Sequence, residues 1–188
     1  PLTLTNASGE VDYVSTSDSE TTDSFTFKVN DGTVDSEAAT VSLAIAAVND
    51  VPVATPQTDV AATEQTVVTI TLVGTDAESD AITFIVSTLP TNGTLSDDGT
   101  VITADDLPLT LTNASGEVDY VSTSDTAASD SFTFKVNDGT VDSEAATIGI
   151  AIATVNDVPV ASAQTDVAAT EQTALTLTLA GTDLDNDT

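Results

Sequence analysis

Two short acidic loops carry the residues in this chain that are best suited to chemistry. They are Asp76-Ala77-Glu78-Ser79-Asp80 and its copy Asp183-Leu184-Asp185-Asn186-Asp187. Each loop places three acidic side chains at every second position of a small turn, which supplies the oxygen ligands that calcium prefers. The exchange of Glu78 for Asp185 keeps both the charge and the oxygen donors. The pattern favours calcium sites, and a solvated turn on a very acidic protein is the alternative.

The overall charge points to the same partner. The chain has 31 acidic and 2 basic residues, a formal net charge of -29. Such a field repels phosphate backbones and anionic lipids, so we expect neither nucleic acid binding nor membrane insertion. Divalent cations would relieve the self-repulsion. With no Cys, His, Met or Trp, and with Lys28 and Lys135 as its only basic residues, the chain has almost nothing for the usual general-base and transition-metal chemistry, and we expect no enzyme.

The chain repeats itself. Residues 1–18 recur letter for letter at 108–125, an offset of 107, and residues 1–81 align with 108–188 without a gap at 63 identical positions. A repeat of this length is the size of one immunoglobulin-like domain, large enough to bury its own core. Near-identical tandem copies are typical of proteins that serve length, avidity or assembly.

Apolar residues alternate with polar ones over short runs, which predicts an all-β protein. Four sets of apolar residues should point inwards. The third and fourth sets lie on either side of the turn 137–139 and should form the two strands of a hairpin. These sets are Val68, Ile70 and Leu72; Ile82, Phe84 and Val86; Phe132, Phe134 and Val136; and Ile148, Ile150 and Ile152. With weaker runs near 93–103, 108–112 and 118–121, the repeat has roughly seven to nine strands, as a two-sheet sandwich requires.

The boundaries between repeats are predicted at Val48-Asn49-Asp50-Val51-Pro52 and at its copy, 155–159. Proline ends ladder hydrogen bonding and suits a short, stiff junction. Residues 1–50 are then the C-terminal part of one repeat, 51–157 a complete β-sandwich, and 158–188 the N-terminal part of the next.

The strings DSFTFKVNDGTVDSEAATIGIAIATVNDVPV at 130–160, TEQ at 63–65 and GTDAESDAITF at 74–84 resemble a known family. They are similar to the cadherin-like, bacterial immunoglobulin-like tandem repeats of large secreted, calcium-dependent surface adhesins. The resemblance spans essentially the whole repeat. It implies β-sandwiches joined end to end, with calcium bound at the junctions between domains.

The resemblance also implies two sets of calcium ligands. The first junction would use Asn49, Asp50, Glu64, Asp76, Glu78, Asp80 and Asp138. The second junction would use Asn156, Asp157, Glu171, Asp183, Asp185 and Asp187. Cadherins carry a longer D-x-N-D-N linker, of which only the N-D pair is present here.

Several other residues have competing interpretations. Asp23 and Asp130 are weaker metal candidates, because each could equally accept hydrogen bonds from a nearby loop backbone. Lys135 alternates with the inward residues of its strand, so it should face solvent, which disfavours an isopeptide crosslink. Tyr13 and Tyr120 could stack on a sugar, but in a chain with few aromatic residues they fit the core or its rim better.

The sequence therefore predicts a calcium-rigidified stalk repeat of a long extracellular or cell-surface adhesin, of bacterial type. Neighbouring copies of the repeat would be its partners in cis. An alternative is the structural subunit of an extracellular fibre, in which copies meet in trans by strand donation or end-to-end stacking. A glycan- or protein-binding module fits less well, because no loop is enriched in aromatic or arginine residues.

Overall fold

Side chains alternate between buried and more exposed positions along the main core strands of this all-β protein, such as Thr83–Thr88, Glu117–Ser122 and Ser129–Asn137. The computed structural model describes residues 4, 9–19 and 21–185. Its strands are β1 Thr22–Phe27, β2 Ala39–Ala44, β3 Val53–Thr55, β4 Gln57–Thr63, β5 Val68–Thr71, β6 Val73–Thr75, β7 Thr83–Thr88, β8 Gly93–Asp97, β9 Thr100–Val101, β10 Leu109–Thr110, β11 Glu117–Ser122, β12 Ser129–Asn137, β13 Ala146–Ala153, β14 Val160–Ala161 and β15 Gly181–Thr182. One 3-10 turn, Ala104–Asp106, is the only helical segment in these ranges, and no helix there is long and apolar enough to cross a membrane.

Strands β3 to β13 form an immunoglobulin-like sandwich. One sheet has the order β10-β7-β12-β13-β4 and the other has the order β5-β11-β8-β9, while β3 pairs with β6. All these pairings are antiparallel except β13 with β4, which is parallel. In that pair Ile148 faces Gln57 and Ala153 faces Thr63, so β4 follows β13 along the length of the domain.

The core lies between the two sheets, and its members alternate along each strand. Phe134, Val136 and Tyr120 are fully buried, and Leu95 and Val118 are 1% exposed. Burying a large apolar side chain stabilises a fold by about 1.5–3 kcal/mol, so this alternation is what fixes the register of each strand.

The strands predicted from alternation are confirmed. Of the predicted inward sets, Val68 and Ile82 are half-buried and the other ten residues are buried. The predicted hairpin is β12 with β13, which pair antiparallel from Ser129↔Ala151 to Phe134↔Ala146. The sandwich has eleven short strands rather than seven to nine. Pro56 separates β3 from β4 because proline has no N–H for the ladder, and Leu72 separates β5 from β6.

The segments flanking the sandwich repeat its local contacts. Strands β1 and β2 pair antiparallel as β12 and β13 do. Tyr13 donates to Asp23 Oδ2 across 2.8 Å, as Tyr120 donates to Asp130 Oδ2 across 3.0 Å. At the other end, β14 pairs with β15 as β3 pairs with β6. The near-identical copies therefore form the same strand pairings and the same tyrosine–aspartate contact.

Candidate metal centre

The first acidic loop is a turn closed by its own carboxylate. Asp76 Oδ1 accepts a hydrogen bond from Asp80 N across 2.9 Å, and Ser79 adopts a left-handed φ of 66°. Asp80 is exposed, whereas Asp76 and Glu78 are half-buried. Asp76 Oδ2 and Glu78 Oε1 are buried and accept no hydrogen bond from any described residue. The turn therefore presents carboxylate oxygens that have lost water without gaining a donor.

The first junction segment is hydrogen-bonded to this loop and to the end of β12. Asp50 N donates to Glu78 Oε2 across 3.1 Å, and Asn49 Nδ2 donates to Asp138 Oδ2 across 2.8 Å. The other oxygen of Asp138, Oδ1, accepts from Thr140 N and Val141 N, each across 2.7 Å. These backbone donors and Asn49 hold the pKa of Asp138 below its usual value. The structure thus brings the predicted residues of this junction together, with the exception of Glu64.

The second junction repeats the geometry of the first. Asp157 N donates to Asp185 Oδ2 across 2.6 Å, and Asp185 N donates to Asp183 Oδ1 across 3.0 Å. Asn156 Nδ2 donates to Asp157 O across 2.8 Å. Asp157 Oδ2 and Asp185 Oδ1 are buried without a partner among the described residues. Asp187, also predicted here, lies outside the residues that the structure describes.

The structure places Glu64 beside Asp157 of the second junction, whereas the sequence resemblance assigns it to the first. Its carboxylate lies with those of Asp125 and Asp157 in a group whose ligand atoms are all within 4.8 Å of one another. The reason is the course of β4, which runs beside β13 and carries Glu64 to the end of the sandwich where Glu64 N donates to Ala153 O across 3.0 Å. Glu171, the copy of Glu64 and its predicted counterpart at the second junction, is exposed and is not one of the three residues of this group.

Asp125 is the residue that the sequence prediction missed. It follows strand β11, sixty residues beyond Gln65, whose side-chain Nε2 donates to Asp125 Oδ1 across 3.1 Å. The available signal was the retention of Asp125 and its copy Asp18 within the identical strings 108–125 and 1–18. Alternation alone could not place it, because three distant segments meet in the group.

The electrostatics of the second junction fit a cation. Glu64 is only 3% exposed, and its Oε2 atom has no hydrogen-bond partner among the described residues. Burial, followed by repulsion from Asp185, Asp125 and Asp183, raises the pKa of Asp157. Unpaired buried carboxylates are costly in a folded protein. Every ligand atom in the group is a carboxylate oxygen. The group therefore suits a hard ion such as calcium, and it lacks the nitrogen and sulfur ligands that zinc favours.

Asp130 is a structural carboxylate. It is 9% exposed and accepts from Thr91 N, Asn92 N, Ser131 N and the Tyr120 hydroxyl at 2.9–3.0 Å. Of the two interpretations of Asp130, hydrogen bonding to a loop backbone is therefore the one that the structure shows. Its copy Asp23 likewise accepts from Ser24 N and from Tyr13, as given above.

Tyr120 and Lys135 also have structural roles. Tyr120 is fully buried, as expected for a core residue, and burial together with its bond to Asp130 raises its pKa to about 12. Lys135 faces outwards with a side chain 38% exposed, and its Nζ lies 3.9 Å from Asp142 Oδ2. A pair this exposed contributes little stability.

Comparison with known families agrees with this architecture. A family model described as Bacterial Ig domain matches residues 49–151. The chain belongs to this family. The fold of this bacterial Ig domain is similar to human CDH23 EC21-23, with a TM-score of 0.55 and 18% identity, over 89% of this chain and 55% of that chain. It is also similar to the protocadherin GammaB4 extracellular domain, with a TM-score of 0.53 and 18% identity, over 82% of this chain and 27% of that chain. The predicted resemblance to bacterial immunoglobulin-like and cadherin-like repeats is confirmed, and at this identity the cadherin likeness shows the fold alone.

One curated relative is also similar in sequence. Integrin beta-like protein A of Dictyostelium discoideum is 30% identical over a 177-residue alignment, which covers 89% of this chain and 9% of that protein. The bacterial Ig domain chain therefore spans less than a tenth of that relative.

Proposed function

We propose that this chain is an extender segment of a long extracellular adhesin, in which calcium at the domain junctions stiffens a row of sandwiches. The observation that carries the proposal is the group of Glu64, Asp125 and Asp157. Glu64 and Asp125 belong to the end of the sandwich, and Asp157 belongs to the junction segment. Asp157 in turn donates its backbone N–H to Asp185 of the following segment. One cation at this group would therefore connect all three parts.

The proposal divides the chain as the sequence predicts, with domain parts 1–50, 51–157 and 158–188. The family match over 49–151 and the sandwich built from β3 to β13 support the central unit. On this division the first junction would use Asn49, Asp50, Asp76, Glu78, Asp80 and Asp138, with Asp18 as the copy of Asp125. The second would use Glu64, Asp125, Asn156, Asp157, Asp183, Asp185 and Asp187.

The proposed mechanism is that bound calcium removes the mutual repulsion of these carboxylates. Bound calcium supplies two positive charges and takes roughly six to eight oxygen ligands. Without it, Glu64, Asp125 and Asp157 repel one another, which favours separation of the junction segment from the sandwich. The hydrogen bond from Asp157 N to Asp185 sets the register of the following segment. A cation that neutralised the three carboxylates would remove their repulsion and keep Asp157 in place. The hydrogen bond from Asp157 N to Asp185 would then persist, so the junction would be stiff.

The setting of the proposal is the cell surface. The two structural neighbours include an extracellular domain by name, and the curated relative is named an integrin beta-like protein. Those names support an extracellular, adhesion-related role, in which the segment holds another domain away from the cell. The charge of -29 supports solubility and disfavours binding to nucleic acid.

Calorimetric titration of the chain with calcium chloride tests the proposal. We expect saturable binding, and we expect Asp157→Asn to weaken the second-junction site by about tenfold or more, since each carboxylate ligand contributes to calcium affinity. Asp105→Asn is the matched control, because Asp105 is an exposed acid away from both junctions. Equal titrations of the two variants would refute the assignment, and no heat of binding in the wild type at either of two well-separated temperatures would refute calcium binding altogether.

A further inference from the structure

Gln65 has an unusual backbone conformation beside the acidic group of the second junction. Its φ is 55°, in the left-handed region that side chains with a Cβ seldom adopt. Such a conformation is strained for a residue with a Cβ, so the surrounding structure must hold it. Gln172, the copy of Gln65, has a φ of 64°. The same residue in the same strained conformation thus follows the acid in both copies of the TEQ string.

Two hydrogen bonds that Gln65 donates within the described residues go to the segment that carries Asp125. Its backbone N donates to Ser122 O across 3.3 Å, and its side-chain Nε2 donates to Asp125 Oδ1 across 3.1 Å. The left-handed turn therefore directs the amide across the end of the sandwich, from the end of β4 to the end of β11. Glu64, the preceding residue, enters the acidic group from the same turn.

The side-chain amide of Gln65 offsets part of the repulsion on the Asp125 carboxylate. Asp125 faces Glu64 and Asp157, so its carboxylate is repelled on the side where a cation would bind. A neutral N–H donor attracts one oxygen of Asp125 and restricts the rotation of the carboxylate without adding charge. Hydrogen bonds to an ionised carboxylate are directional, so the amide favours one orientation of the Asp125 side chain.

We propose that Gln65 is a positioning residue, which holds the Asp125 carboxylate beside Glu64 and Asp157 and so sets the divalent-cation affinity of the second junction. The inference rests on the proposed function, since it concerns the same site. Groups that orient metal ligands from outside typically change metal affinity by 10–100-fold when they are removed. Gln65 donates a hydrogen bond to Asp125, so its effect would act through the orientation of that ligand.

The test uses two backbone amides as site-specific reporters in the full 188-residue chain. Asp50 N donates to Glu78 at the first junction, and Asp157 N donates to Asp185 at the second. Calcium titrations followed by 15N NMR give one midpoint for each junction. The variant is Gln65→Gly, because glycine accepts a positive φ and so removes the amide without straining the backbone. Gln172→Gly is the matched control, which removes the same residue type at the same φ one repeat later.

We expect Gln65→Gly to raise the calcium midpoint of the Asp157 signal about tenfold and to leave that of Asp50 unchanged. Gln172→Gly should change neither midpoint. The melting temperature of Gln65→Gly in chelator should not fall, since the turn loses strain, and this separates positioning from a general loss of structure. In the wild type, the side-chain amide signals of Gln65 should shift with the same midpoint as Asp157.

Three results would overturn the inference. An unchanged Asp157 midpoint in Gln65→Gly would remove Gln65 from the site while leaving calcium binding intact. A parallel rise of the Asp50 and Asp157 midpoints would indicate a global effect on the domain in place of positioning. If neither signal responds to calcium in the wild type, the proposed function fails first and the inference fails with it.

Discussion

Tyr120 donates its hydroxyl hydrogen to Asp130 Oδ2 across 3.0 Å, and both side chains are buried. Asp130 also accepts the backbone hydrogens of Thr91 and Asn92. A single carboxylate therefore ties the start of β12 to the turn before β8 and to the core tyrosine of β11. Charge-assisted bonds of this kind are strong, and each donor would be left unpaired if the carboxylate were lost.

Asp130→Asn should destabilise the domain by roughly 2–3 kcal/mol. Asparagine replaces one carboxylate oxygen with an NH2 group, which cannot accept a hydrogen bond. At least one of the donors that now bond to Asp130 would therefore be left unpaired. Urea unfolding at neutral pH measures the change, and Asp105→Asn, an exposed substitution, should stay within about 0.5 kcal/mol of the wild type. An Asp130→Asn variant as stable as that control would contradict the role given to Asp130.

Stability should fall as the pH rises from about 10 to about 12. The pKa of Tyr120 is raised to about 12 in the folded chain by burial and by its bond to Asp130, against 10.0 for an ordinary tyrosine. Between these values the unfolded chain releases the proton and the folded chain keeps it, so unfolding becomes more favourable by roughly 1.4 kcal/mol per pH unit. Few other groups titrate there, because the chain has 2 basic residues and 2 tyrosines. Urea midpoints across this range measure the slope, and Tyr120→Phe should flatten it. An equal slope in Tyr120→Phe would assign the effect to other groups.

Gly93→Ala should cost more than Gly99→Ala. A Cβ at Gly93 would lie 2.3 Å from Tyr120 Cε2 and 2.6 Å from Val121 O, and a fully buried ring has no space to move. Overpacking of this kind costs about 1–3 kcal/mol or more. At Gly99, which has a φ of 79°, a Cβ would meet no atom within 4 Å, so only the backbone strain of about 1 kcal/mol applies. Equal unfolding midpoints for the two variants would show that β8 does not pack against Tyr120 as described.

Asp125→Asn should have opposite effects with and without calcium. In chelator, the substitution removes a charge that contributes to the raised pKa of Asp157, so the melting temperature should rise by a few degrees. In excess calcium the variant lacks a ligand, so it should gain less from the ion than the wild type does. Paired thermal melts measure both, with Asp105→Asn as the control. A lower melting temperature of Asp125→Asn than of the wild type in chelator would contradict this. It would mean that the hydrogen bonds of Asp125 stabilise the fold more than its repulsion by neighbouring acids destabilises it.

Local patterns predicted most of the fold, whereas the site needed the tertiary structure. Alternation is a property of a few neighbouring residues, which is why the hairpin of Phe132 and Ile148 could be read from the sequence. The position of Glu64 depends on the parallel pairing of β4 with β13, which no local pattern encodes. Asp125 was missed for the same reason, since its relation to Glu64 and Asp157 arises only when three distant segments meet.

Asp130 shows a further limit of the sequence. An acid two residues before a core phenylalanine fits a metal ligand and a loop anchor equally well. The backbone donors Thr91 and Asn92 decide between these roles, and they come from a turn almost forty residues earlier in the chain.

The central claim is that calcium at the junctions stiffens the chain, and small-angle X-ray scattering tests it most directly. The 188-residue chain would be measured in excess calcium and in chelator, at several protein concentrations, with matched ionic strength. The account predicts a longer and narrower particle in calcium, of unchanged mass at every concentration, and a smaller change in Asp157→Asn, which leaves the first junction intact. Identical scattering in calcium and in chelator would contradict it, and a mass that grows with concentration would favour a self-assembling fibre.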